Sequence, residues 1–320
     1  MAGGMRIPSG GLLRCAAIAI ATLPPATARA TYSVVATDSA TFQVGGAVTS
    51  CVGASGVGVV YRGAPGHGAV NAQASANAGG RDRAVMLLNS DVAPADIITM
   101  ITTSSFDANA ATRQYGVVDV MGRAAGYTGA RAMDYKEDRQ GTIGSYTYSV
   151  QGNILTSRAV IDQAEGAFRG QGCDLADKLM MALDGGAQNG EGDSRCASRG
   201  IPSDAASLQV DLAGGTAGSY LALSVAGTGN NNPVAQIRTM FDDWRATHPC
   251  PAPAPTAADA GCGCAVGSSA TPRAIAAALF VVAFATQRRR RASRRPPRRV
   301  ADRPLDASTT GSGTGLSARR

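Results

Sequence analysis

Short apolar runs rich in valine and glycine alternate with polar turn segments over the middle of the chain. Runs of this kind, bounded by turn residues, are typical of β-strands. Glycine at this density marks close backbone approach or bulges within strands. The pattern predicts strands at residues 32–36, 44–51, 56–61, 68–73, 114–121, 126–129, 146–151, 206–211 and 219–225.

Apolar residues spaced three and four apart predict helices between these strands. The expected helices are residues 83–88, 94–101, 160–168, 175–183 and 233–247, and residues 185–200 are expected to form a polar loop. A doubly wound parallel sheet would need regular alternation of strand and helix. The observed order favours an α+β fold of four layers, αββα, in which two sheets pack face to face in a single domain, residues 31–249.

Residues 1–30 have the parts of a secretory signal peptide. Basic residues precede an apolar run at 15–23, a Pro24-Pro25 break follows, and Ala28 and Ala30 supply small residues before a cleavage point. Cleavage after Ala30 would make Thr31 the first residue of the mature protein. Cleavage after Ala28 is the competing site and would leave two residues ahead of Thr31.

The C-terminal part changes in composition three times. Residues 250–264 form a linker rich in proline and cysteine, residues 265–291 form an apolar segment that ends in four arginines, and residues 292–320 are basic and expected to be disordered. The uninterrupted apolar run, 274–286, is shorter than the roughly 20 residues that a membrane span needs. If the segment is counted from Ala265, with Arg273 included, it becomes long enough to span a membrane. It is therefore expected to be a membrane anchor or sorting segment.

The positive charge of the chain is concentrated at its two ends. The 320 residues carry a formal net charge of +7, but residues 31–250 carry about −5. A nucleic-acid-binding domain would need a basic face. The distribution therefore argues against a nucleic-acid partner.

Four cysteines lie within the predicted domain or directly after it, in a chain expected to be exported, which favours two disulfides. They are Cys51, Cys173, Cys196 and Cys250. Three pairings are open, and free buried thiols are the alternative. We expect Cys173 to pair with Cys196, and Cys51 with Cys250.

Thr31 is the candidate nucleophile. A terminal threonine combines a hydroxyl with an α-amine whose pKa, about 7.7–8.0, lets the amine act as its general base. Polar residues at strand ends are the candidate substrate-binding or oxyanion groups: Ser50, Asn71, Gln73, Asn77, Gln151 and Asn153. The candidate charge partners are Asp38, Asp204 and Arg62. Each of these also suits a capping role in a turn or loop.

Other chemistries have less support. The two histidines, His67 and His248, come without a Gly-x-Ser-x-Gly motif, so a serine triad is not favoured. A zinc site from His248, Cys250, Cys262 and Cys264 would need the linker to fold back. No metal or cofactor is expected. The two lysines, Lys136 and Lys178, lie outside the early strands, where proteasome-like enzymes often carry one.

Several segments resemble a known family in order along the chain. They are residues 31–38, 44–50, 66–74, 115–119 and 150–155, and the last, Val-Gln-Gly-Asn-Ile-Leu, is the most specific. Together they resemble domain-of-unknown-function family 1028 over about residues 31–249. The resemblance implies the N-terminal nucleophile (Ntn) hydrolase superfamily, its four-layer fold and hydrolysis of an amide bond, without an established substrate.

The tail is similar to the myxobacterial C-terminal sorting signal. Cys262 or Cys264, the apolar run 274–286 and the arginines 288–291 match its parts, although 29 further residues follow. The resemblance implies export and sorting machinery as partners and a place at the cell surface or outer envelope. The expected substrate is a small amide or peptide, and a homo-oligomer is compatible with the sequence. A non-catalytic surface or binding module with the same fold is the alternative function.

Overall fold

The computed structural model describes residues 1, 31–53, 57–229 and 231–250. Contacts divide the chain into two units, Met1–Pro255 and Thr256–Arg320, and every described residue belongs to the first. The predicted signal peptide after Met1, the linker after Cys250, the apolar segment and the basic tail lie outside the described residues. Among those described, no helix combines the length and apolar character that a membrane span requires.

Within the described part, the chain forms ten strands and six α-helices. The strands are β1 Thr31–Asp38, β2 Gln43–Ser50, β3 Tyr61–Ala64, β4 Gly68–Ala74, β5 Arg113–Asp119, β6 Ala124–Thr128, β7 Glu137–Ile143, β8 Tyr146–Asn153, β9 Ala205–Asp211 and β10 Leu221–Val225. The helices are α1 Ala78–Leu88, α2 Pro94–Ile101, α3 Ala159–Arg169, α4 Leu175–Gly185, α5 Ser194–Ala197 and α6 Pro233–Thr247.

The strands form two antiparallel sheets. The larger has the order β10-β9-β2-β1-β8-β7 and the smaller has the order β3-β4-β5-β6. Strand β1 therefore lies inside the larger sheet, between β2 and β8. Its register places Thr31 opposite Asn153 of β8, and Tyr32 opposite Thr49 of β2.

Side chains point alternately to the two faces of each strand, and the apolar ones form three layers. Tyr32 and Val34 of β1 pack with α3, α4 and α6 on the outer side of the larger sheet. Val35, on the opposite face of β1, packs between the sheets with residues such as Val118 of β5. The outer side of the smaller sheet packs on α1 and α2. The α+β class and the two-sheet sandwich with helices on both outer faces are confirmed.

The local predictions differ from the structure at several elements. Val57–Val60 forms a turn rather than a strand, and Val57 and Val60 bury their side chains between the sheets without pairing in a ladder. Strand β7 was not predicted because its sequence, EDRQGTI, lacks an apolar alternation. Helix α5 was missed inside the polar loop 185–200 because it spans a single turn.

The predicted cysteine pairing was also wrong. The disulfides are Cys51–Cys196 and Cys173–Cys250, with Cα separations of 5.9 and 5.6 Å. Cys51 leaves the end of β2 beside α5, which carries Cys196. Arg245 of α6 pairs with Asp174 at the start of α4, and this contact brings the chain after α6 back to Cys173. Packing between distant elements therefore decided the pairing.

Candidate functional site

Thr31 lies at the first position of β1 with its side chain directed between the two sheets. It is almost completely buried, with 1% of its surface exposed. Its hydroxyl donates to Ser50 Oγ at 3.3 Å, and Ser50 is the last residue of the neighbouring strand β2. The alternation of β1 and the antiparallel pairing with β2 therefore bring two hydroxyls together at one end of the sandwich.

A small cavity adjoins these hydroxyls. Its volume is about 10 Å³, enough for about one water molecule. It is lined by Thr31, Ser50, Val52, Val57, Val59, Val60, Gln73, Ala74 and Ala76. Four of these are valines of the connection between β2 and β3, so that connection covers the cavity with apolar side chains.

Buried amides and hydroxyls extend inward from Thr31. The Ser33 hydroxyl donates to Gln73 Oε1 at 2.6 Å, and Gln151 Nε2 donates to Ser33 Oγ at 2.7 Å. Gln73 Nε2 in turn donates to the backbone oxygen of Thr31 at 3.2 Å and to Gln114 Oε1 at 2.7 Å. The network joins β1 and β8 of one sheet to β4 and β5 of the other, and it holds the backbone of Thr31.

An arginine that the sequence analysis missed lies beside Ser50. Arg195 of α5 forms a two-pronged ion pair with Asp193, at 3.1 Å from Nε to Oδ1 and 2.9 Å from Nη2 to Oδ2. Its Nη2 also lies 3.5 Å from Ser50 Oγ. Asp193 is buried and accepts from the backbone N–H of Cys51 at 2.7 Å. A guanidinium group is thus placed next to the Thr31–Ser50 pair.

The structure brings most of the predicted binding candidates to this end of the sandwich. Ser50 and Gln73 line the cavity, Gln151 belongs to the buried network, and Asn153 is the register partner of Thr31. Asn71 lies two residues before Gln73 on β4, is fully buried, and its side-chain nitrogen and oxygen have no hydrogen-bond partner among the described residues.

Two other predicted site residues, Asp38 and Arg62, have local structural contacts instead. Asp38 lies at the far end of β1 and accepts from Ala40 N and Thr41 Oγ1 in the following turn. The rise of a strand, about 3.4 Å per residue, places Asp38 on the order of 20 Å from Thr31. Arg62 is exposed and lies 3.9 Å from Asp82.

Asn77 and Asp204 stabilise chain segments next to the site. Asn77 is the N-cap of α1, where its side chain accepts from Gly80 N at 3.1 Å. Asp204 accepts from the backbone N–H groups of Val52 and Gly53 at 2.8 and 2.9 Å, and so holds the start of the connection that covers the cavity.

Neither lysine contacts Thr31 in the described part of the chain. Lys178 of α4 donates to the backbone oxygen of Gly170, and burial lowers the pKa of its amine. Lys136 lies near Asp134. The general base of a hydrolase at this site would therefore have to come from another group, and the α-amine of a terminal Thr31 has the required chemistry.

Two groups of cysteines and carboxylates lie close enough together to suggest a metal site, but their sulfurs form disulfides. The groups are Cys51, Cys196 and Asp204, and Cys173, Asp177 and Cys250. A disulfide sulfur is not the thiolate that a zinc site requires. Cys250, one of the ligands weighed for zinc, is paired with Cys173, and Cys262 and Cys264 fall outside the described residues.

Comparison with known proteins agrees with the expected family. A family model described as "Family of unknown function (DUF1028)" matches residues 31–237. No curated protein matches. The crystal structure of protein SPO2555 from Silicibacter pomeroyi, itself assigned to DUF1028, is 22% identical and covers 68% of this chain and 89% of its own, with a TM-score of 0.55. The family match spans more than half of the sequence, and the chain belongs to DUF1028.

Proposed function

We propose that this protein is an exported amidohydrolase of the Ntn type, with Thr31 as its nucleophile. One observation carries the proposal: two boundaries coincide at Thr31. The signal-like segment ends before it and the family match starts at it. Removal of residues 1–30 would give a threonine whose hydroxyl lies at a cavity and whose amine is free.

The reaction follows from these groups. The α-amine of the mature protein accepts the proton of the Thr31 hydroxyl, and Oγ1 attacks the carbonyl carbon of an amide. The amine then returns that proton to the leaving nitrogen, which leaves an ester on Thr31 that water hydrolyses. Ser50 Oγ, which accepts from the Thr31 hydroxyl, would orient it, and the Ser50 hydroxyl and the Arg195 guanidinium are the described donors that would stabilise negative charge on the carbonyl oxygen.

Signal cleavage would then also be the activation step. Before cleavage, the nitrogen of Thr31 belongs to a peptide bond and has no basic lone pair. The cavity has room for about one water molecule, so substrate entry also requires Val52 and the turn Val57–Val60 to move. We propose that the substrate is a small amide or peptide.

The C-terminal part supports a location outside the cytoplasm. Its cysteine pair, apolar run 274–286 and arginines 288–291 are similar to a myxobacterial sorting signal. Two disulfides in the domain agree with an oxidising compartment. We place the protein at the cell surface or outer envelope, anchored there or released after processing.

A non-catalytic binding module is the second candidate function. It is favoured by the small, mostly apolar cavity and by the lack of a lysine contact to Thr31 among the described residues. Such a protein would use the same opening to hold a ligand without forming a covalent bond to it.

The test compares two forms of the chain that differ only at the amino end. One form begins at Thr31 and the other begins at Arg29. We expect a β-lactone, which acylates terminal threonines, to label the first form at Thr31 and not the second, because only the first has a free amine on the nucleophile. Mass spectrometry of the exported protein would establish which form occurs naturally.

Variants of the form that begins at Thr31 separate nucleophile from fold. Thr31→Ala should abolish labelling, and Thr31→Ser should retain it. Thr37→Ala is the matched control, because Thr37 is a buried threonine on the same face of β1 whose hydroxyl donates to the Asp119 backbone oxygen. Equal labelling of Thr31→Ala and the parent, or a natural start at another residue, would refute the hydrolase proposal and favour the binding module.

A further inference from the structure

The Cys51–Cys196 disulfide joins two residues that directly follow members of the candidate site. Ser50 precedes Cys51 at the end of β2, and Arg195 precedes Cys196 in α5. Ser50 Oγ accepts a hydrogen bond from the Thr31 hydroxyl, and Arg195 Nη2 lies within hydrogen-bond distance of Ser50 Oγ. We propose that this disulfide is a positioning bond that assembles Ser50 and Arg195 around Thr31, and that its reduction dismantles the site; this inference rests on the proposed function.

Helix α5 depends on the disulfide because it has little stability of its own. It contains four residues, Ser194–Ala197, and a single turn does not form independently. Its cap, Asp193, accepts from Arg195 N at 3.0 Å. Cys196 is completely buried, and its sulfur is the covalent link from α5 to the larger sheet.

The other end of the disulfide controls the cover of the cavity. Cys51 is the first residue after β2, and Val52 and the turn Val57–Val60 follow it across the cavity. The Cys51 N–H binds Asp193, and the next two N–H groups bind Asp204. Loss of the sulfur bond would remove the covalent tie between the cover and α5 and leave non-covalent contacts, these hydrogen bonds among them, to hold both in register with Thr31.

An arginine makes this disulfide susceptible to thiol exchange. Arg199 Nη2 lies 2.7 Å from Cys51 Sγ and 2.6 Å from Cys196 Sγ. Asp204 Oδ2 lies 3.7 Å from Cys51 Sγ and is itself paired with Arg199 at 3.1 Å. A cation beside the sulfurs stabilises a thiolate leaving group and so accelerates exchange.

The reduction is a two-electron exchange with a dithiol. One thiolate of the dithiol attacks a sulfur of the pair and releases the other cysteine as a thiolate that takes up a proton. The second thiol of the reductant then attacks the mixed disulfide. The products are the reduced cysteines 51 and 196 and the oxidised, cyclic reductant. The site would thus be assembled in an oxidising compartment and dismantled in a reducing one.

The second disulfide, Cys173–Cys250, is a matched control. It ties the start of α4 to the chain after α6, and none of the cavity-lining residues adjoins either cysteine. The charged group nearest to its sulfurs is the carboxylate of Asp177, whose Oδ2 lies 2.8 Å from Cys173 Sγ. A carboxylate does not stabilise a thiolate, so this disulfide lacks the effect that Arg199 has on the sulfurs of Cys51–Cys196.

The first experiment measures β-lactone labelling of Thr31 against pH in protein that begins at Thr31. We expect C51S/C196S to lose labelling rate by about tenfold or more. The midpoint should move to higher pH, because the Arg195 cation, which lies 3.5 Å from the Ser50 hydroxyl beside Thr31, is released. C173S/C250S should stay within about twofold of the parent. Arg195→Lys should restore more of the rate than Arg195→Ala. Equal rates and midpoints in the two double variants would overturn the positioning role.

The second experiment is independent of catalysis. Graded dithiothreitol followed by iodoacetamide and mass spectrometry measures how fast each disulfide is reduced, and Arg199→Ala should slow the reduction of Cys51–Cys196 while it leaves that of Cys173–Cys250 unchanged. Amide hydrogen exchange should rise at residues 50–53 and 193–197 in C51S/C196S and not in C173S/C250S. If Thr31 is never labelled but this pattern holds, the hydrolase proposal fails and the structural role of the bond stands. An unchanged reduction rate of Cys51–Cys196 in Arg199→Ala, or unchanged amide exchange at residues 50–53 and 193–197, would overturn the inference.

Discussion

Side-chain amides and hydroxyls fill the space between the sheets next to Thr31. Elsewhere in the same layer, this space is filled by valine side chains. An unsatisfied buried polar group costs about 1–3 kcal/mol, so such a network is tolerated only when its members bond one another. Gln73 and Gln151 meet this condition through Ser33. The same requirement makes the network sensitive to small changes in the space around it.

Gly116 provides a residue-scale test of that network. A Cβ added there would lie 2.3 Å from Gln151 Oε1 and 2.7 Å from Ser149 Oγ. We expect Gly116→Ala to lower the free energy of unfolding by about 1–3 kcal/mol, because the buried glutamine must move and its bonds must rearrange. Urea denaturation measures the change. Gly166→Ala is the control: open space surrounds that position in α3, and alanine should stabilise the helix.

At the scale of elements, capping explains why some polar residues near the site serve the fold. Asn77 caps α1 and also donates to Asp107 at 2.8 Å. Asp107 lies in the connection from α2 to β5 and pairs with Arg113, the first residue of β5, at 2.8 Å. One buried carboxylate thus links the cap of α1 to β5 in the smaller sheet.

This linkage predicts acid sensitivity. Hydrogen bonds from Arg113 hold the pKa of Asp107 below its ordinary value, against the opposing effect of burial. A lowered folded-state pKa contributes stability above the unfolded value, near pH 4, and that stability is lost as pH falls through the folded value. Asp107→Asn should therefore lower the free energy of unfolding at pH 7 by about 1–3 kcal/mol, and by less at pH 3.

Urea titrations at the two pH values would measure this difference. Asp243→Asn is the control, because Asp243 is exposed on α6 and its loss should change stability by less than about 0.5 kcal/mol. A deficit for Asp107→Asn that is as large at pH 3 as at pH 7 would show that Asp107 does not stabilise the fold through its charge.

At the scale of the whole molecule, the two disulfides tie together elements that lie far apart in sequence. The bond Cys51–Cys196 closes 145 residues and Cys173–Cys250 closes 77. The first connects the larger sheet to the loop that carries Arg195, and the second connects α4 to the end of α6. Only the first adjoins the Thr31 cavity.

Loss of either disulfide should reduce global stability by a similar amount. Each double Cys→Ser variant should lower the free energy of unfolding by about 2–5 kcal/mol, and chain-entropy theory makes the two losses differ by only about 0.6 kcal/mol. Chemical denaturation under oxidising conditions measures both. If the free energies of unfolding of the two variants differ by more than about 2 kcal/mol, one disulfide has a larger structural role than the other. The β-lactone labelling rates of the two variants would then have to be compared under conditions in which equal fractions are folded.

Much of the fold was predictable because its signals are local. Helices α2 and α6 begin and end where the apolar spacing placed them, at residues 94–101 and 233–247. The order of strands and helices was enough to favour two sheets with helices outside. Strand β7 escaped prediction because it is a polar edge strand of the larger sheet, and such strands lack the alternation on which the prediction depends.

The sequence by itself predicted a strand at residues 32–36 directly after the signal-like segment, and it placed Gln73 and Gln151 at the ends of apolar strands. Only the tertiary structure decided that those residues meet, that Asp38 lies at the opposite end of β1, and that Cys51 pairs with Cys196. It also placed Arg195 beside Ser50, 145 residues away in sequence. Local patterns report how a residue relates to its chain neighbours, whereas these contacts depend on strand register and on packing between distant segments.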